Sequence, residues 1–349
     1  MRLGDVTHGR DNNIQLLRLV AAAAVMLFHS YVFTGRIGDD PLYRATGATN
    51  FSVLGVGSFF VLSGFLVTRS WLERPHLPAF AAARALRIYP ALFVAVALTV
   101  VLAGSSSAVP WREFLSSPVT IDFAWNNALA WEIRYTLPGA FLSNPFPGGV
   151  NGSLWTLPVE LRLYIAVAIA GLAGLLAGVP RCAAALAALV AFFAWKPEWL
   201  PLQPNSDSVR DLALLFGLGA LAYVARARVP LSLAAFAAGV ALYAANPGGF
   251  GRGFAFTLTL AYGVLVLAYH PRIQWRRYNR AGDYSYGLYV YAFPIQQTII
   301  ARWPALSTGE LFAWSFAATL AVAAISWHGL EKPALALKSR FRKPPPTGT

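Results

Sequence analysis

The chain has 349 residues, of which 57% are hydrophobic and only 12% charged. A soluble domain carries about twice that share of charge, so this chain cannot cover itself with polar surface and belongs in a bilayer. Its formal net charge of +13 would suit nucleic acid, but no basic stripe gathers on a soluble segment; the single cysteine, Cys182, excludes an intramolecular disulfide.

Apolar runs of membrane-spanning length lie near 14–34, 51–72, 83–103, 156–178, 182–199, 209–225, 229–246, 253–270, 284–301 and 310–330. The expected fold is an all-α membrane protein, a bundle of ten transmembrane helices. The first run is too long for a signal-peptide core and no small-residue cleavage site follows it, so it is read as retained. Ten spans put both termini on one side. The segments on that side hold roughly twice the lysine and arginine of the opposite loops, which makes both termini cytoplasmic. Residues 1–335 form one membrane domain. Residues 336–349, ending in FRKPPPTGT, are a basic, proline-rich cytoplasmic tail expected to be disordered.

The first span contains RLVAAAAVMLFHSYVF, with Arg18 and His29 inside it. Eleven residues are about three helical turns, so the two side chains share a face, roughly 16 Å apart along the axis. Charge facing lipid costs about 2.5–3.5 kcal/mol, so both face the bundle interior. Each alone has an ordinary explanation: Arg18 snorkels to the headgroups, and His29 bonds a neighbouring helix. Together on one face they suggest chemistry, because histidine is the side chain best suited to take a proton at neutral pH.

The second span reads GSFFVLSGFLV, whose small residues include Ser63 and Gly64. Close helix packing is their default meaning, and a narrow passage for a thin ligand is the alternative. The third span opens with RALRIYP, which sets Arg84 and Arg87 one turn apart. They are either more positive-inside charge or an anion cradle, since paired guanidinium groups grip phosphate. With Arg18 they would form an arginine cluster on the cytoplasmic side.

A long outer loop, from about Gly104 to Ser153, joins the third and fourth spans and is rich in tryptophan, including Trp111, Trp125 and Trp131. Its FAWNNALAWEIRYTL stretch, 123–137, has helical spacing and is expected to lie along the interface. The aromatic residues make either a membrane-surface belt or a carbohydrate-stacking platform. The fourth span opens with NGSLWTLPVELRLY, in which Asn151, Trp155 and Tyr164 are candidate acceptor-binding residues. Glu160 enters the membrane there and needs a partner from another helix; Arg162, two residues on, does not share its face. Hydroxyls and amides of GDYSYGLYVYAFPIQQ, 282–297, line a polar cavity or bond across helices. His8, His76, His270 and His328 form no ligand pattern, so no metal is expected.

The Arg-x10-His pair, FFVLSGFL, RALRIYP, SLWTLPVELRLY, SYGLYVYAFP and the closing EKP (Glu331 to Pro333) occur in an order that resembles the membrane-bound acyltransferase-3 family over nearly the whole chain. SLWTLPVELRLY is close to that family's SLWSLSVEEQFY. The resemblance implies about ten helices that O-acylate glycans in a bacterial inner membrane. It implies no permanently bound cofactor, an acyl-CoA donor (acetyl-CoA by family habit) from the cytoplasm, and an envelope or exported glycan or glycolipid as acceptor. It makes His29 the catalytic histidine, Arg18 its companion, Glu160 the acidic position, and Arg84 and Arg87 the arginine pair at the donor, beside Ser63 and Gly64. The family often has two acids where this chain has Glu160 then Leu161, and a histidine where it has Ala292, which puts any use of a second histidine in doubt here. The residues alone leave two rivals open: a buried His/Arg/Glu relay also suits a proton-coupled transporter or exporter, although no inverted repeat is visible, and a non-catalytic membrane scaffold is the third reading.

Overall fold

Apolar segments that cannot bond water must close their own backbone hydrogen bonds, and here they do so as helices. The structure, a computed structural model, describes residues 1–7, 12–195, 207–246, 248–275, 278 and 282–341. Among these no β-strand forms, only two isolated bridges, Arg2 with Pro230 and Ser107 with Ala140. The main helices are α1 (Ile14–Phe33), α2 (Phe51–Glu73), α3 (Leu77–Ser105), α4 (Pro118–Leu129), α5 (Thr156–Leu172), α6 (Val179–Trp195), α7 (Asp207–Val224), α8 (Leu233–Ala245), α9 (Gly249–Tyr269), α10 (Ser285–Arg302) and α11 (Thr308–Ser326).

Helices coincide with the expected apolar runs, but among the described residues six segments are long and apolar enough to cross a membrane: Ile14–Phe33, Phe51–Glu73, Leu77–Ser105, Gly152–Leu172, Arg252–Tyr269 and Thr308–Phe341. The rest fall short for identifiable reasons. Helices α6 and α8 are short, and α7 starts with Asp207, Arg210 and Asp211. Helix α10 is rich in tyrosine and glutamine because it lies inside the bundle, buried on nearly every face, and so needs no lipid-compatible surface.

Two helices organise the core. Helix α2 packs along α1 and α7, and α10 packs along α1, α3 and α11. Glycine sets the first arrangement. A Cβ on Gly55 would meet the Ala21 carbonyl of α1. On another face of α2, a Cβ on Gly64 would fall on the Phe216 carbonyl of α7, while Gly219 of α7 lies against the Val61 carbonyl. The small residues of the second span thus let backbones touch, as membrane helices require in the absence of a hydrophobic drive. Gly64→Ala is expected to cost about 1–3 kcal/mol by overpacking this crossing. Thermal unfolding in detergent checks it; an unchanged curve would mean that α2 and α7 separate freely.

The outer loop is largely structured. A short helix, Trp111–Ser116, is followed by α4, which runs back along α3 until the Leu129 carbonyl accepts from the Tyr89 hydroxyl at 3.2 Å. The helix expected over 123–137 instead spans 118–129, because Ala130 turns left-handed (φ 53°) and its N–H caps the preceding turn. Asn127, in the last turn of α4, bonds both backbone groups of Arg134 beyond the turn, and Arg162 stacks on Trp131 at 4.7 Å while donating to its carbonyl. Gln297 of α10 pins the returning chain by donating to the Phe146 and Gly149 carbonyls.

The tail expected from 336 onward starts in order. After α11 a π-helical turn, Trp327–Glu331, leads into a short helix, Lys332–Ala336, and a 3-10 turn, Leu337–Phe341, both packed on α3. Residues 342–349 lie outside the described residues.

Candidate active site

Helix α1 carries Arg18 near its start and His29 near its finish, so the bundle has an arginine end and a histidine end. Helices α3 and α10 begin at the arginine end, and α2 finishes there. A cavity of about 250 Å³ opens at that end, bounded by α1, α2, α3, α5 and α10 and by Leu335 and Lys338 of the C-terminal turns. Arg18, Arg84 and Arg87 all line it, as do Ser63, Glu160 and Tyr164. A wider groove of about 710 Å³ shares Leu66, Arg84 and Lys338 with it and adds Arg69, Arg74 and His76.

The three arginines are not equivalent. Arg18 and Arg87 converge on one oxygen of Asp283, at 3.0 and 2.7 Å. Arg87 also lies 3.7 Å from Glu331, whose side chain is 2% exposed and whose other oxygen accepts from Ser326. Asp283 sits in the turn before α10, where Ser285 donates to its second oxygen. Burial opposes its ionisation, but Arg18 and Arg87 outweigh burial and hold its carboxyl at about 2, so it is charged at any physiological pH. Arg84, one turn nearer the mouth, has no carboxylate among the described residues within ion-pairing distance. Its guanidinium lies over Phe80 and Tyr164, 5.7 and 5.6 Å from the ring centres, and its Nε is buried without a partner.

Sequence reasoning expected an arginine cluster and missed the two acids that organise it. Both stood in quoted motifs, Asp283 in GDYSYG and Glu331 in EKP. The signal was physical: buried guanidinium groups demand carboxylates, and a chain with only 15 acids offers few.

In the cavity wall Ser63 donates to one Glu160 oxygen at 3.0 Å, and the Tyr164 hydroxyl donates to the same oxygen. Glu160 thus faces the cavity and is not bonded to His29. Gly64 lies at the α7 crossing and not in the cavity wall. Asn151, Trp155 and Tyr164 are not brought together. Tyr164 belongs to the cavity, and Asn151 is wholly buried, donating to Thr99 of α3 and the Val290 carbonyl of α10. Trp155 is half-buried, outside the cavity wall.

His29 lies beyond the inner limit of the cavity. There Val56, Phe59, Thr156 and Tyr289 form the wall, with Tyr289 and Thr156 hydrogen-bonded at 2.8 Å and Phe59 against the Tyr289 ring. One turn further along α10, Phe293 meets the His29 ring edge-on at 5.1 Å. Phe28 and Phe33 flank the imidazole, and its Nδ1 is buried without a hydrogen-bond partner among the described residues. Ala292, also buried, offers no second imidazole. The arrangement is a charged, ligand-sized chamber ending one helical turn short of an uncommitted histidine.

The sequence matches the profile of the acyltransferase-3 family, an acyltransferase domain, over residues 11–328. It is 29% identical to nodulation protein 10 of Rhizobium leguminosarum bv. viciae over 95% of each chain. It is 28% identical to an O-acetyl transferase of Shigella phage Sf6, over 83% of this chain and 86% of that one. A partial match, 28% identical, covers 45% of this chain and 33% of a regulator of hypoxia-inducible factor 1 from Caenorhabditis elegans. No solved structure matches. The matched stretch contains Arg18, His29, both arginines of α3, Glu160 and Asp283, so the chain belongs to the acyltransferase-3 family and is an acyltransferase.

Proposed function

We propose that the chain is an integral-membrane O-acyltransferase that takes an acyl group, acetyl in the first instance, from a coenzyme A thioester and passes it to a hydroxyl of an envelope or exported glycan. The observation that carries this reading is the cavity: lined by three arginines, part-aromatic within, and reaching Tyr289, one helical turn before the Phe293 ring that touches His29. Coenzyme A has the matching polarity, with phosphates at one end of a thin arm and the thioester at the other. The O-acetyl transferase among the similar proteins supports acetyl as the group.

On this reading the arginine end is cytoplasmic and the helices at all ten apolar runs cross a bacterial inner membrane. The basic excess on that side supports the orientation. The phosphates rest on Arg84 and the groove beyond it, which Arg74 and Lys338 help to line. The arm runs past Ser63. Glu160 and Tyr164 act on this donor side of the chamber; they do not orient the histidine. For the thioester to meet His29, the Tyr289–Thr156 bond and the Phe293 ring must give way. His29 then accepts the proton of the glycan hydroxyl, whose oxygen attacks the thioester carbonyl. The carbon–sulfur bond breaks, and the departing coenzyme A thiolate takes the proton from His29. A transient acyl-histidine is the second route to the same products.

The test uses purified protein in liposomes, with labelled acetyl-CoA inside and candidate oligosaccharides outside. Label on sugar is the expected result. Thioester hydrolysis without labelled sugar would mean that the offered glycans are the wrong class. Intact thioester in the presence of folded protein would remove acetyl-CoA as the donor.

A further inference from the structure

Arg18 and Arg87 look like phosphate ligands in the sequence, yet both are already bound to an anion. The Asp283 oxygen between them, 3.0 and 2.7 Å away, stands where an oxygen of a phosphate would stand. Glu331 completes the balance from the other side of Arg87 at 3.7 Å. Two guanidinium groups and two carboxylates therefore neutralise one another, all four largely buried. Arg84 is different: it faces the same chamber, one turn closer to the mouth, with a buried Nε that nothing accepts from.

We propose that Asp283 is a positioning residue, an internal counter-anion that occupies Arg18 and Arg87 and thereby fixes how deep the donor's phosphates come to rest. The inference rests on reading the cavity as the donor's site. Three residues along a helix are roughly 4.5 Å, the rise from Arg84 to Arg87. Phosphates stopped at Arg84 leave the arm its full reach toward Tyr289. Without Asp283 the strongest anion site would move inward to Arg18 and Arg87, and the thioester would be carried out of register. Binding would tighten while turnover fell. The same carboxylate ties three helices, since Arg18 is on α1, Arg87 on α3 and Asp283 at the start of α10, which carries Tyr289 and Phe293.

The experiment measures binding of inorganic pyrophosphate and, separately, of coenzyme A to the full-length protein in detergent, for wild type, Asp283→Asn and Asp283→Glu. Asp283→Asn is expected to bind pyrophosphate about tenfold more tightly than wild type, with Asp283→Glu close to wild type. In the transfer assay Asp283→Asn is expected to show a lower donor KM together with a lower kcat. A merely structural carboxylate would lose stability and turnover without any gain in anion affinity. Pyrophosphate binding to Asp283→Asn no tighter than to wild type overturns the proposal. A gain for pyrophosphate, with no coenzyme A binding by wild type, upholds the role of Asp283 and removes the donor reading instead. Should Asp283→Asn fail to fold, the charge-balanced double variant Arg18→Gln/Asp283→Asn is expected to recover the fold, and its failure to do so overturns the counter-anion role.

Discussion

His29→Phe is expected to give a protein at least as stable as wild type with acyl transfer reduced by about 10²–10⁴-fold, the range for loss of a general base. The imidazole sits among Phe28, Phe33 and Phe293, and its buried Nδ1 has no partner. A buried, unsatisfied polar atom costs about 1–3 kcal/mol, so a flat apolar ring relieves a penalty that offsets the crowding from its one extra ring atom, and it keeps the aromatic contacts. Natural proteins carry such a cost where a group is needed for chemistry. His29→Ala should be equally inactive but less stable, because it opens a hole between the rings. Thermal unfolding and transfer of labelled acetyl groups, measured on the same preparations, provide the check. A stable His29→Phe protein that still transfers acyl groups at the wild-type rate would remove His29 from the mechanism.

The second large effect separates two arginines that the RALRIYP motif presents as a pair. Among the described residues, Arg87→Ala leaves Glu331 without a cation at ion-pairing distance and Asp283 with Arg18. Breaking a buried ion pair from one side costs about 3–5 kcal/mol, because the remaining charge stays buried without compensation. Arg84→Ala deletes a guanidinium group that, among the described residues, has no carboxylate at ion-pairing distance and lies over two rings. Its removal should leave the unfolding temperature nearly unchanged and weaken donor binding about tenfold or more, the loss of a charge-assisted contact. Unfolding curves and donor KM for the two variants decide the matter. Equal destabilisation by both would contradict the division of labour seen in the cavity.

Much of the fold was legible because the bilayer imposes a one-dimensional code. Length and apolarity alone locate the helices, and the interior location of Arg18 and His29 follows from the cost of charge in lipid. The code weakens where a helix is enclosed by other helices. Helix α10 is less apolar than the six long spans, since its tyrosines and glutamines spend their hydrogen bonds inside the protein: Tyr286 on the Ile88 carbonyl, Gln296 on Ser30, Gln297 on the 146–149 segment. The end of α4 was also missed. Tyr135 and the residues around it have helical spacing, but Ala130 breaks the helix with a left-handed turn, and Asn127 in the last turn of α4 holds the Arg134 backbone that follows.

The site divides in the same way. Arg18, His29, Arg84, Arg87, Ser63 and Glu160 could be chosen one by one from the sequence, because each is a polar residue in an apolar setting. Their partners could not. Asp283 lies 265 positions from Arg18 and 196 from Arg87, and no periodicity relates residues on separate helices. Gly64 and Ser63 are adjacent in sequence yet face opposite tasks, one the α7 backbone and the other Glu160, because neighbouring residues on a helix point about 100° apart. A helical membrane protein with an arginine and a histidine on one face of its first span follows from residue types alone, since both readings rest on the cost of transferring each residue into lipid. Which arginines are neutralised, which one faces the chamber with an unspent donor, and that His29 stands one turn beyond the chamber's end are settled by the packing of helices remote in the chain, because they depend on distances between those helices.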